Sequence, residues 1–311
     1  MRILVTGGNG SLGREMIPAL LASGHEVVVL DKELGVVRVI SHPQLRVVSG
    51  GVEDIDAAAE ATRGVEAIIH LAWSFSDDPS HLLEHDLRGH LLLLRLAKEQ
   101  GARQFIYTST AVVYGKPDRA PIGEEDPLRV LVARKPAYGM AKEFAEKLTL
   151  LAAKETGLAA TVLRFWWAFG NEIGGRHLRD MLRTAAAGKP LIVPADCGGS
   201  FLQQTDFNQT VETLLSAPTP GGRVFNLASA YVSWEEVAHM AVRATGGSAT
   251  VEVVPRSSWT GAAFLADRWE LDDTRIRGTL KLRPTQGSDG VRVALEQAIV
   301  HTWSRLQTAD T

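Results

Sequence analysis

Cysteine is nearly absent: Cys197 stands alone among 311 residues, so no disulfide can form within the chain and a reducing compartment suits it. No block of like charge exists either. Thirty-three lysines and arginines against 36 acidic residues leave a net charge of −3, and the basic footprint of a nucleic-acid binder is missing. Long apolar runs are lacking, because Leu91 to Leu94 is bracketed by His90 and Arg95 and falls far short of a bilayer span. There is no low-complexity linker and no internal repeat. His81, His85 and His90 show no metal-ligand spacing, and no metal is expected. The first apolar run begins at Arg2, which leaves no room for a leader, so a soluble cytoplasmic protein is expected. The 45% apolar and 22% charged residues are ordinary for a globular enzyme of one large or two moderate domains.

What is there starts with Thr6-Gly7-Gly8-Asn9-Gly10-Ser11-Leu12-Gly13. The buried-strand run Arg2 to Val5 precedes it, and a helical pattern from Arg14 to Ser23 follows, closed by Gly24 as a left-handed cap. Glycines at 7, 10 and 13 allow a sharp turn, close approach of a pyrophosphate to bare amides, and close seating of the helix on the sheet. The helix N-terminus adds unpaired N–H groups and a positive dipole end. Asp31 ends the next apolar strand, Glu26 to Leu30, 18 residues past Gly13, where a carboxylate can accept from ribose hydroxyls. It would repel a 2′-phosphate, so NAD is preferred to NADP, with Lys32 softening the preference. Pro18 lies inside the helix and should bend it.

Strands and helices then alternate. Strands are predicted at 46–48, 67–72, 104–109 and 160–164, and helices at 55–62, 81–100 and 137–156. In the helix 81–100, Leu82, Leu83, Leu87, Leu91 and Leu94 form the apolar stripe. Such alternation predicts an α/β fold, a doubly wound parallel sheet with helices on both faces. After Gly170 the pattern changes to helices near 176–187, 207–216, 234–245 and 289–305, separated by short strands such as 191–193 and 224–227. This reads as a smaller mixed α/β C-terminal lobe, with the cleft beside the sheet as the ligand site. The expected division is residues 1–165 plus about 200–230 for the dinucleotide domain, and about 166–199 and 231–311 for the substrate lobe.

Tyr138 and Lys142 are four residues apart on one helical face. A neighbouring ammonium should stabilise the phenolate and bring Tyr138 towards the range of a proton-transfer group. Thr110 follows a strand that ends in a hydroxyl cluster, at the sheet edge where open α/β folds place ligands. It is placed to hydrogen-bond the oxygen that Tyr138 protonates.

With these motifs together, the chain resembles the extended short-chain dehydrogenase/reductases of the NAD-dependent epimerase/dehydratase type. The resemblance covers Gly7/Gly10/Gly13, Asp31, His70-Leu71-Ala72, Thr110 to Gly115, Tyr138/Lys142, Leu163-Arg164, Asp206, Val224 to Leu227, and Leu271-Asp272 to Pro284. It implies a Rossmann-type fold, hydride transfer with NAD, and Thr110, Tyr138 and Lys142 as the catalytic group. Implied cofactor contacts are Gly7, Asn9, Gly10, Ser11, Leu12, Gly13, Asp31, Val52, Leu71, Ala72, Trp73, Tyr138 and Lys142. Candidate substrate contacts are Ser74, Thr110, Ala111, Tyr138 and Trp167, while Trp73, Ser74 and Phe75 either line the pocket or pack. The resemblance also implies a homodimer through helices 81–100 and 137–156.

Departures from the family pattern bear on the substrate. Ala111-Val112 replaces the Asp-Glu pair of the dehydratases, and Val112 replaces the glutamate of decarboxylating relatives. Trp167 stands where sugar-nucleotide epimerases carry an asparagine, and Gly199 where they carry an arginine for the diphosphate. Asp86 replaces the usual helix asparagine, and Gly51 the usual adenine-side aspartate. Arg176, Arg179 and Arg183 share a predicted helix whose ordinary role is a solvated face, but one of them could supply a replacement fork. The expected activity is therefore oxidoreduction at a hydroxyl or carbonyl of a small sugar, polyol or sugar acid, not of a nucleotide-diphosphate sugar. Two alternatives stand beside it: a sugar or sugar-nucleotide 4-epimerase, and a non-catalytic dinucleotide sensor.

Overall fold

The computed structural model describes residues 1–35, 37, 40–218, 221–283 and 285–309, so Pro284 lies outside the described residues. Apolar runs with no polar face become strands, beginning with β1 (Arg2–Thr6), β2 (Glu26–Asp31), β3 (Leu45–Ser49) and β4 (Ala67–His70). Between them lie α1 (Ser11–Ala22) and α2 (Ile55–Thr62). There follow α3 (Pro79–His81), a π-helical stretch Leu82–Leu87, α4 (Arg88–Gln100), β5 (Gln104–Thr108), α5 (Pro136–Thr156) and β6 (Ala159–Arg164). The second half holds β7 (Trp167–Phe169), α6 (Arg176–Ala186), β8 (Leu191–Pro194), β9 (Gly198–Gln203), α7 (Gln204–Ser216) and β10 (Gly222–Asn226). It closes with β11 (Ala230–Ser233), α8 (Trp234–Thr245), β12 (Val251–Val254), β13 (Arg268–Trp269), α9 (Thr274–Leu280) and α10 (Ser288–Ala309).

Seven strands form one parallel sheet in the order β10-β6-β5-β4-β1-β2-β3. The strand order reverses between β1 and β4, and ligands of such sheets bind at the carboxyl ends beside that point. Each face carries a core. Leu4, Val28, Ile68 and Phe105 pack with α2 and α4 on one side, while Ile3, Val27, Ile69 and Ile106 pack with α1 and α7 on the other. Met16, Ile17, Leu20 and Leu21 are the buried stripe of α1. Pro18 falls on the exposed face, and the helix runs through it unbroken to Ala22.

Two expectations change. The stretch 81–100 is not one regular helix. The π-helical turn adds residues per turn and rotates the apolar face, leaving Leu83 and Leu91 exposed while Leu82, Leu92, Leu93 and Leu96 are buried. The same turn points the carboxylate of Asp86 inward. Residues 231–311 also do not all join the second lobe, because Ile276 of α9 packs into the core of the large sheet. That lobe is built on β9, which pairs with β7, β11 and β13, and has its own core of Leu178, Leu182, Phe201, Trp234 and Leu295. Among the described residues no helix is long and apolar enough to cross a membrane.

Candidate active site

The turn from β1 into α1 is closed by backbone. Gly7 has φ +70, its N–H donates to Leu30 O at 2.9 Å, and Gly10 N–H donates to Gly7 O at 3.1 Å. A Cβ on Gly7 would come within 2.8 Å of the Ala72 backbone, and one on Gly13 within 2.5 Å of Gly7 O. Loop, helix and the end of β4 thus meet without room for side chains. Gly10 caps α1 with no side-chain acceptor, and the first turn holds no acidic residue. The open N–H groups and helix dipole are left for an anion. Asp31 closes the other end, accepting from Asn9 N–H at 2.8 Å and Glu33 N–H at 3.0 Å. Lys32, expected to soften the charge of Asp31, is engaged instead by Glu53 at 2.6 Å. Glu53 also receives His85 Nδ1 at 2.9 Å, and these side chains cover Gly51. A backbone cradle, an uncapped helix and a carboxylate at the strand end fit the pyrophosphate and ribose of a dinucleotide.

Thr110, Tyr138 and Lys142 come together at the ends of β5 and α5. Lys142 is 3% exposed, and its ammonium donates to Thr108 O at 2.8 Å. It lies 4.1 Å from the Trp73 ring centroid, 4.9 Å from that of Tyr107 and 5.9 Å from that of Tyr138. Burial pulls its pKa down to about 7, against the carboxylates of Asp86 and Glu146, which hold the proton on. The Tyr138 phenol behaves differently from the sequence expectation. Burial pushes its pKa well above the usual value, opposed by a hydrogen bond with Thr110 and reinforced by Asp86. Desolvation outweighs the hydrogen bond with Thr110 and favours the neutral phenol in the ligand-free protein, the form that donates to a carbonyl oxygen.

The neighbours of this trio were only partly legible. Trp73 is the floor under Lys142, in a buried group with His70, His90 and Tyr107. Ser74 is held by Asp86, which accepts its N–H at 2.8 Å and its hydroxyl at 2.5 Å. Phe75 is 79% exposed and stacks on the Tyr138 ring at 5.8 Å. Of Trp73, Ser74 and Phe75, Trp73 therefore packs and Phe75 stands exposed against the Tyr138 ring. Ala111 has no exposed surface and packs with Val113, Tyr114 and Trp269. Val52 seats against Gly89 of α4, and Leu71 packs into the sheet core beside α1. Asp77, which the sequence did not single out, accepts the N–H of Tyr138 at 3.0 Å and holds the start of α5.

The second lobe carries an aromatic group. Trp167 stacks on Phe201 at 5.8 Å, meets Trp166 edge-on at 5.3 Å, and donates Nε1–H to Gly174 O at 3.1 Å. The Trp166 ring lies flat over Gly199, where a Cβ would approach it to 2.2 Å. A separate cleft of about 420 Å³ at the β10 edge, lined by Glu124, Arg223 and Arg275, contains none of the candidate residues.

A parallel sheet with a glycine cradle at its reversal point, and a tyrosine–lysine pair at the adjoining strand end, define a dinucleotide-dependent oxidoreductase fold. Residues 3–228 match the NAD dependent epimerase/dehydratase family, and the chain belongs to that family. It is an NAD-dependent enzyme. It is 28% identical over 290 residues to a UDP-glucose 4-epimerase of Corynebacterium glutamicum, covering 86% of this chain and 87% of that one. A UDP-glucose 4-epimerase of Lactobacillus helveticus is 26% identical, over 91% of this chain and 92% of the other. Among solved structures, the Bordetella bronchiseptica enzyme WbmG in complex with NAD and UDP superposes with a TM-score of 0.79 at 21% identity, covering 98% and 96% of the two chains.

Proposed function

We propose that the chain is a sugar epimerase that oxidises a secondary hydroxyl and reduces the resulting carbonyl from the other face, acting on a sugar nucleotide. The observation that carries this reading is the convergence of Thr110, Tyr138 and Lys142 beside the dinucleotide cradle. The curated relatives, UDP-glucose 4-epimerases over most of the chain, move this reading ahead of the net sugar dehydrogenase expected from the sequence. Bound NAD supplies the acceptor and donor of hydride. Oxidation starts from the Tyr138 phenolate, which takes the hydroxyl proton, and the phenol so formed returns that proton to the carbonyl oxygen during reduction. Thr110 hydrogen-bonds that oxygen, and Lys142 offsets the phenolate charge that Tyr138 carries before oxidation and regains after reduction. Ala111 and Val112 carry no acid or base, so elimination of water has no group to drive it.

A second reading, a dehydrogenase of a small sugar or sugar acid, is favoured by the Trp166 ring over Gly199, which leaves no space there for an arginine. Incubating the NAD-loaded protein with UDP-glucose, UDP-glucuronate and free sugars separates the two. Interconversion of epimers without NADH accumulation is expected, and stoichiometric NADH with no epimer would establish the second reading. Tyr138→Phe should keep NAD affinity and lower turnover by about 10²–10⁴.

A further inference from the structure

Three groups that carry or can take positive charge, Arg134, Arg176 and His177, gather where the segment before α5 meets α6, with Asp180 acting on His177 from α6. Arg134, four residues before Tyr138, places its guanidinium 4.2 Å above the Phe264 ring. His177 meets the same ring from α6 at 4.6 Å, and its Nε2 is buried without a hydrogen-bond partner. Arg176 opens α6, close enough to Arg134 and His177 to disfavour the charge on both. Among the described residues, neither Arg134 nor Arg176 has a carboxylate within ion-pair distance. Arginines elsewhere on the surface do: Arg119 holds Asp126, Arg268 holds Glu270, and Arg275 holds Glu124 and Glu125. The cap of α6 is Gly175, with no side-chain acceptor and no acidic residue in the first turn. Trp167 packs against this same glycine, so the cluster adjoins the aromatic group.

Like charges held together with no carboxylate paired to either guanidinium raise the energy of the free protein, and an anion placed between them relieves it. The cluster also joins two parts of the chain. Arg134 belongs to the segment that leads into α5, whereas Arg176, His177 and Phe264 belong to the lobe. Four residues extend at most about 14 Å, so one substrate can reach Tyr138 with its reacting carbon and Arg134 with its far end.

We propose that Arg134 and Arg176, floored by Phe264 and edged by His177, bind the anionic end of the substrate. They take the part that Gly199, covered by Trp166, cannot play. The group bound is a phosphate or carboxylate oxyanion, and the assignment rests on the substrate cleft described under the proposed function. Guanidinium forks suit either anion, because two parallel N–H donors match two oxygens.

The test is titration calorimetry on the NAD-loaded protein with UDP, inorganic pyrophosphate and glucuronate. Binding is read without turnover, so failure of the epimerase reading leaves the result intact. Micromolar binding of at least one of the three is expected, weakened at least tenfold by Arg134→Gln and by Arg176→Gln. Arg223→Gln, at the far β10 edge, should bind like the parent protein. Tight UDP and pyrophosphate with weak glucuronate identifies a diphosphate as the source, and the reverse order a sugar acid. Salt gives a reading free of mutation, since affinity should fall steadily as ionic strength rises. Absence of binding by all three anions, affinity unchanged in both glutamine variants, or affinity indifferent to salt would each overturn the proposal.

Discussion

Lys142 keeps its proton only because of what faces it. Burial lowers its pKa to about 7, and Asp86 and Glu146 are the carboxylates that oppose the fall. The folded chain binds fewer protons here than the unfolded chain between about pH 7 and the ordinary lysine value near 10.4, so burying this residue carries a stability cost that falls as pH rises across that window. Removing the charge of Asp86 makes the ammonium harder to hold. Asp86→Asn is therefore expected to move the alkaline limb of the pH–rate profile to lower pH, and a limb that stays put or moves up would remove Asp86 from this role. Asp31 sets the other end of the site. Asp31→Ala should narrow the preference for NAD(H) over NADP(H), read by fluorescence titration, because a carboxylate facing a 2′-phosphate is lost.

At the scale of elements, α5 is tied to β6 by a buried pair. Glu146 accepts Arg164 Nε at 2.9 Å and Nη2 at 2.5 Å, and also the hydroxyl of Ser109. Arg164 continues to the Tyr114 hydroxyl at 3.0 Å, which donates to Asn226 at 2.7 Å. Taking one partner from a buried pair strands the other charge, at a cost of about 3–5 kcal/mol. Glu146→Gln should lower the denaturant stability by about that amount, measured by urea unfolding. This network was not legible in the sequence, since Arg164 and Glu146 are 18 residues apart and nothing in their pattern pairs them. The central strands of the large sheet were legible because they are buried on both faces and read as nearly unbroken apolar runs. Strand β9 was not. Its Gly198-Gly199-Ser200 start has neither alternation nor β-branched residues, and its pairing comes from three partners distant in the chain. The meeting of Thr110, Tyr138 and Lys142 could be anticipated from helix spacing and strand order. The Trp73 floor and the Arg134–Phe264 contact depend on where loops fold back, which local pattern does not encode.

For the whole molecule, the exposed faces of the two long helical segments matter most. Leu83 and Leu91 on one, and Met140, Phe144 and Leu151 on the other, stand open to solvent. We propose that these faces join two copies of the chain in a four-helix contact. Light scattering should then give a dimer, and Leu91→Asp with Phe144→Asp a monomer that still binds NAD, whereas a monomeric parent protein would refute it.

Trp166 over Gly199 constrains how this chain could exchange one substrate for another. Gly199→Arg alone drives a long side chain into an indole at a Cβ separation of 2.2 Å, while Trp166→Ala alone opens a hole in the packing with Phe201 and Trp234. Each step by itself loses stability, and only the two together make a guanidinium at that place compatible with the fold. The route to an arginine at 199 thus crosses a valley two substitutions wide, and a library varying single positions would not find it.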